Sequence, residues 1–189
     1  SGFGDGLFSA GPEPEALFEA LASSMLQAQL PDLRHFLLES STLTRLTPEL
    51  CSTVLGIPNS ANWLNAARTQ NMFLTRVPGG LVYHTLFRDF LQNHLHQTNP
   101  GRFAELHERA ARWFEERDDI EQAFDHYLAA GRTDSALNIA ESTAVSLFSQ
   151  GKHETLLRWN ERLRTAPAVA PRLAHAWATI YADRLEYQA

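Results

Sequence analysis

A break in periodicity between residues 72 and 85 constrains the fold of this chain more than any other feature. On both sides of it, apolar residues recur mostly at helical spacing. Within it, MFLTRV (72–77) alternates, Pro78-Gly79-Gly80 supplies turn residues, and Leu81-Val82-Tyr83 resumes an apolar run. Strand side chains change face at every residue, so alternation flanking a Pro/Gly turn predicts a β-hairpin. One hairpin set among short helices leaves few small folds to choose from.

The helices before the hairpin can be placed from their caps and stripes. Leu17, Leu21 and Met25, with Phe18 beside them, predict a first helix that ends near Leu30-Pro31. Pro31-Asp32 opens a second, with Leu33, Phe36 and Leu37 facing one way and Arg34 and His35 another. Thr47-Pro48-Glu49 reads as N-cap, first-turn proline and early acid, so a third helix runs to Leu55 and stops at Gly56. Asn59 or Ser60 caps a fourth, whose apolar face is Trp63, Leu64 and Ala67. After the hairpin a helix spans about Thr85 to Gln97. Three helices, a hairpin and a further helix describe a winged-helix domain over residues 13–97, together with a preceding helix. The helix before the hairpin stands where a DNA reader would have its recognition helix.

Thr98-Asn99-Pro100-Gly101 reads as a linker, and residues 102–189 carry only helix signals. Segments 102–117 and 119–130 pair as a helical hairpin, as do 133–148 and 152–165, with 171–187 opening a third. First helices recur at a spacing of roughly 32–37 residues, the scale of tetratricopeptide repeats. Ala110, Ala123, Ala136 and Ala140 fall where helix pairs need small residues. The expected fold class is therefore mainly α: a winged helix with one β-hairpin, then a tetratricopeptide-like α-helical solenoid.

Composition narrows the chemistry. The net charge of −6 and the scarcity of basic residues near the hairpin, where Arg68 and Arg76 stand alone, argue against direct DNA contact. Cys51 is the only cysteine and lies between Leu50 and Val54, so a buried, inert thiol is expected and no disulfide. His94 and His96 are two apart, and no histidine pair has the four-residue spacing of a helical zinc site, so no metal is expected. No phosphate loop, nucleophile elbow or paired-carboxylate arrangement is present, so no catalytic residue is nominated. No apolar run approaches the ~20 residues that span a bilayer, and SGFGDGLFSAG has neither the basic region nor the apolar core of a signal peptide. Neither a membrane partner nor secretion is expected. A Ser-Gly start without methionine reads as a segment cut from a longer protein.

Two sets of residues remain as candidate sites. His84 stands between strand and helix within LVYHTLFRDFL (81–91). It reads either as a half-buried histidine that caps the helix or pairs with Asp89, or as a donor aimed at a phosphate held by a neighbouring domain. Among the aromatic residues of the helical region most should knit helix pairs together. Trp113, Tyr127 and Trp159 are the ones to test as the lining of a ligand or partner groove.

FLLESSTLTRLTPELCSTVLG (36–56), NMFLTRV (71–77), VYHTLFRDFLQNHL (82–95) and ELHERAARWFEERDDIEQAFDHYLAAGRTDSALNIAE (105–141) resemble consecutive blocks of the MalT-like large ATP-binding LuxR-type regulators, of the STAND class of signal-transducing ATPases. The resemblance covers about residues 15 to 165. It implies a winged helix and the first repeats of a helical sensor from a cytoplasmic bacterial transcriptional regulator. The nucleotide-binding domain would be the partner within the full-length protein, and a small-molecule inducer or a protein would act on the repeats. ATP or ADP would be the cofactor of that longer protein and not of this segment. In related proteins a winged-helix histidine, in a Met-His-Asp-type motif, lies against the β-phosphate of ADP. Tyr83-His84-Thr85 falls in that place, with tyrosine for methionine and threonine for aspartate. The other function this sequence admits is a protein-interaction scaffold that binds a peptide or partner protein through its solenoid.

Overall fold

A computed structural model describes residues 14–163 and 171–186. Two compact units divide between Thr98 and Asn99. In chain order the first holds α1 (Pro14–Gln27), α2 (Pro31–Ser40), α3 (Pro48–Leu55), α4 (Ser60–Thr69), β1 (Leu74–Val77), β2 (Gly80–Tyr83) and α5 (Thr85–Thr98). The second holds α6 (Pro100–Glu115), α7 (Ile120–Ala129), α8 (Thr133–Ser149), α9 (His153–Leu163) and α10 (Pro171–Glu186). A winged helix followed by helical repeats is the architecture, as the periodicity predicts.

Helices α2, α3 and α4 close around Leu33, Phe36, Leu37, Leu50, Val54, Leu64 and Ala67, all buried. Thr47 caps α3 by accepting the Leu50 N–H at 3.1 Å, and Gly56 ends it in the left-handed region at φ 72°. For α4 the structure differs in detail from the cap expected: Asn59 takes a left-handed backbone but its side chain caps nothing, and the Ser60 hydroxyl turns back to the Ile57 carbonyl. Arg34, read as an outward residue, donates to the carbonyls of Leu26, Gln27 and Gln29 and so closes the C-terminal end of α1. The buried stripe of α1 also differs from the one expected. Ala22 and Leu26 are buried and Phe18 meets Phe73 at 6.1 Å, whereas Leu17 and Leu21 are more than half exposed. The helix packs through positions 18, 22 and 26, one residue round from the 17–21–25 row.

The hairpin pairs Leu74 with Tyr83, Thr75 with Val82, Arg76 with Leu81 and Val77 with Gly80, around the two-residue turn Pro78-Gly79. It begins at Leu74, two residues later than the alternation suggests, because Phe73 has φ 49° and cannot lie in a strand. A third segment joins it: Leu46 and Leu81 exchange both backbone hydrogen bonds, at 2.8 and 3.0 Å. This bridge is what makes the hairpin a wing, clipped to the connection between α2 and α3. Its neighbour Gly80 sits against that connection so tightly that a Cβ there would lie 2.6 Å from the Leu46 carbonyl oxygen. Behind the hairpin, the end of α2 is buried yet polar. Ser41 and Thr42 bond back to Leu38 and Glu39, Ser40 meets the Tyr83 hydroxyl at 2.8 Å, and Gln92 of α5 donates to the Ser41 carbonyl at 2.6 Å. Each of these hydroxyls is satisfied, as burial requires.

Residues 98–101, read as a linker, are helical almost throughout. α5 runs to Thr98, Asn99 caps α6 by accepting the Arg102 N–H, and Pro100 takes the first helical position, where its missing N–H costs nothing. In the second unit Ala110, Ala123, Ala136, Ala140 and Ala144 are fully buried, allowing close approach of consecutive helices around Leu106, Phe124, Leu156 and Trp159. Asp118 at φ 60°, Gly131 at φ 71° and Gly151 at φ 72° make the reversals between them. Glu141 of α8 accepts the first-turn N–H groups of Arg172 and Leu173 and so caps α10. The expected proline stretch before α10 lies partly outside the described residues.

Gly80→Ala should destabilise the chain by about 1–3 kcal/mol, the usual cost of forcing atoms into an already filled site, as read by urea denaturation. Gly101→Ala is the control: a Cβ there meets nothing nearer than 4.0 Å and the residue is helical, so stability should hold or rise by up to ~1 kcal/mol.

Candidate functional site

His84 links the last strand of the wing to α5. Its N–H donates to the Phe73 carbonyl at 2.8 Å, extending the hairpin ladder, and its carbonyl accepts the Arg88 N–H at 3.0 Å, starting the helix. Both backbone groups are therefore fixed while the ring is exposed. Among the described residues the imidazole has no partner, and it neither pairs with Asp89 nor lies half-buried. Behind it Tyr83 is buried, bonded to Ser40, and in ring contact with Phe87 at 5.9 Å; Phe87 also meets Phe73 at 5.0 Å. Burial pushes the Tyr83 phenol well above its ordinary range, so it stays a neutral hydrogen-bonding group.

Two further features converge on this corner. Phe73, which accepts the His84 N–H, holds a left-handed backbone that costs a non-glycine residue roughly 1–3 kcal/mol. One turn into α5, the buried Nε of Arg88 has no hydrogen-bond acceptor among the described residues, and its nearest carboxylate oxygen, on Asp89, is 3.8 Å away. The first N–H groups of any helix also lack intrahelical acceptors. An exposed imidazole beside a helix N-terminus presents donors to an anion, with the Arg88 charge one turn further into the helix.

The three aromatic residues nominated in the second unit do not converge. Tyr127 borders a cavity of about 330 Å³ with Glu115, Ser135, Asn138, Ile139 and Ser142. Its hydroxyl donates to Glu115 at 2.7 Å, and burial together with that carboxylate raises the phenol to about 12. Trp113 lies under the Arg117 guanidinium, 3.9 Å from its ring centre, and edge-on to Phe114. Trp159 is a core residue: it is fully buried and stacked on Phe124 at 4.3 Å. It therefore cannot line a groove, and its area joins α7 to α9. Cys51 is fully buried and its thiol is pushed up to about 12 by burial, which keeps it protonated.

A pair that spacing could not reveal lies between α6 and α7. His107 and His126 are both buried, with their Nδ1 atoms 2.9 Å apart, so one ring donates to the other. His107 Nε2 is buried without a partner. An unmet lone pair is cheaper than an unmet N–H, which assigns the shared proton to His107 Nδ1 and leaves His126 protonated on Nε2. Phe103 and Phe114 pack against the two rings at 4.4 and 5.4 Å. Desolvation lowers His107 to about 4 and His126, with help from His107, to about 3.

Residues 22–103 match the MalT winged helix domain, in agreement with the bridge, hairpin and helix order above. Over 176 residues, or 90% of its length, the chain is 36% identical to the serine/threonine-protein kinase PknK of Mycobacterium tuberculosis and of Mycobacterium bovis. Over 134 residues, or 69% of its length, it is 32% identical to the HTH-type transcriptional regulator AlkS of Pseudomonas putida. The matched part spans only 16% of the kinase and 15% of the regulator. Fold and match define the class: a winged helix of the transcriptional-regulator type, continued by helical repeats. Within that class residues 22–103 form a winged helix of the MalT type. Among the described residues no helix is long and apolar enough to cross a membrane.

Both histidines of the buried pair are neutral in the fold and protonate more readily when unfolded. Stability is therefore whole above the ordinary histidine value of about 6.5 and is lost as pH falls from there through about 4. Urea denaturation as a function of pH should show this loss, and in a His107→Leu/His126→Leu double variant the slope within that window should flatten.

Proposed function

We propose that this segment transmits a signal within a larger STAND-class regulator, coupling an event on its tetratricopeptide-like repeats to the nucleotide state of an ATPase domain elsewhere in the same protein. The segment itself carries out no catalysis in this reading. The supporting observation is His84, held by backbone hydrogen bonds on both sides with its ring exposed and unengaged among the described residues. An imidazole so placed can donate to a phosphate oxygen of ADP bound by the ATPase domain, with Arg88 and the first turn of α5 adding positive potential. Exchange of ADP for ATP would break that contact and free the winged helix. On the sensing side, Tyr127 and the polar residues around its cavity offer a place for an inducer or a partner to act. A cytoplasmic location follows from ATP use and transcriptional control.

A single charge-assisted hydrogen bond of this kind is worth ~1.5–3 kcal/mol, comparable to the couplings of ~1–3 kcal/mol that drive allosteric switches. In the full-length protein His84→Ala should thus weaken ADP binding by about tenfold or more and raise basal activity, measured by equilibrium binding and by reporter transcription. Thermal unfolding of the present chain should be unaffected, since the ring contributes no packing. Unchanged ADP affinity together with unchanged basal activity would sink the latch.

A further inference from the structure

The first unit has five arginines in its described residues and no lysine. Three are employed within the fold. Arg34 closes α1, Arg45 donates to the Pro78 carbonyl at 2.9 Å, and Arg88 lies beside Asp89. The other two, Arg68 on α4 and Arg76 on β1, have no acidic partner among the described residues. Arg68 reaches only the Asn65 side-chain oxygen, at 3.0 Å, and the Arg76 guanidinium makes no hydrogen bond or ion pair with the described residues. Both line the same cavity.

That cavity, about 390 Å³, lies between α4 and the wing. Its apolar walls come from Leu46, Pro48, Leu64, Val77 and Leu81, and no carboxylate borders it. Gly79, Gly80 and Ala61 keep part of the rim low. Two guanidinium groups without an acidic partner border one cleft, in a chain whose net charge is −6. An oxyanion in the cleft would meet their positive potential, and guanidinium forks match a carboxylate or phosphate well. The volume falls at the small end of ligand pockets, which run from ~300 to 1,000 Å³ and join mostly apolar walls to a few polar groups. A nucleic-acid backbone is a poorer fit: it needs a row of cations, and an apolar floor offers a phosphodiester chain nothing.

We propose that the cleft between α4 and the wing binds a small molecule that carries one oxyanion on a compact apolar body. The arginines hold the anion, and the leucine, valine and proline wall takes the body. This site is separate from the His84 corner and does not depend on the nucleotide reading.

The test uses the present chain and four probes: benzoate, phenyl phosphate, benzyl alcohol and inorganic phosphate, with binding followed by two-dimensional NMR of backbone and arginine side-chain N–H groups. Saturable shifts at Leu64, Arg68, Arg76 and Leu81 are expected with benzoate or phenyl phosphate, and which of the two binds more tightly tells carboxylate from phosphate. In Arg68→Ala/Arg76→Ala that affinity should fall by about tenfold or more while circular dichroism and the thermal midpoint stay as they were. Equal binding of inorganic phosphate and phenyl phosphate would reduce the cleft to a charge patch and overturn the proposal. Equal binding of benzyl alcohol would overturn it from the other side, leaving an apolar crevice. Absence of any saturable shift counts against it too. So would salt-dependent binding of a DNA duplex that the double variant abolishes, since the arginines would then belong to a nucleic-acid face.

Discussion

Two hydrogen bonds between Leu46 and Leu81 hold the winged helix in its shape. A two-stranded hairpin is marginal on its own, and these bonds give it a third partner drawn from the α2–α3 connection. The hairpin is fastened again two residues further on, where Tyr83 meets Ser40 at the buried end of α2. Leu81 and Tyr83 lie on one face of β2, so two consecutive inward positions are fixed to two points on the helical core. His84 follows at once, and its location is set by both. The α4–wing cleft depends on the same bridge, since Leu46 and Leu81 are part of its wall.

The second unit is organised differently. Its helices approach closely through alanines, and its aromatic residues fill the remaining volume: Trp159 stacks on Phe124, and Trp177 donates its indole N–H to the Leu156 carbonyl at 2.9 Å. Ion pairs then join alternate helices at the surface. Glu121 of α7 receives Arg158 of α9 and Lys152, the single lysine of the chain, and Glu108 of α6 receives Arg132. Exposed pairs like these contribute little stability each. They tie each helix to the next but one more by position than by strength.

Much of the fold was legible because local chemistry set it. Pro78-Gly79-Gly80 could hardly be other than a turn, and Thr47-Pro48 and Gly56 mark the two ends of α3 as their backbones require. What escaped was non-local. The Leu46 bridge involves a single residue and leaves no period, and the α1 stripe depended on where Phe73 presents its ring. Asn99-Pro100 reads equally as a linker or a helix start, and only the helices on either side decide. Among site residues, the position of His84 at the strand–helix junction was legible from the turn and the helix signal, whereas whether its ring is half-buried or exposed was not. The burial of Trp159 was not, because an aromatic stripe looks the same whether a neighbour covers it or leaves it open. The imidazole pair was hidden altogether, its members being 19 residues apart and joined only by the folding of α6 on α7.

That pair has a consequence for how the sequence can change. Each imidazole is the hydrogen-bond partner of the other in a place water does not reach, so neither is free to vary alone. Replacing one by leucine leaves its partner with an unmet polar atom in an apolar setting, whereas replacing both restores an ordinary apolar contact. The two end states are both acceptable folds, but every single-step path between them crosses a less stable protein. Residues 107 and 126 are thereby linked in descent as well as in space, and drift at one should wait on the other.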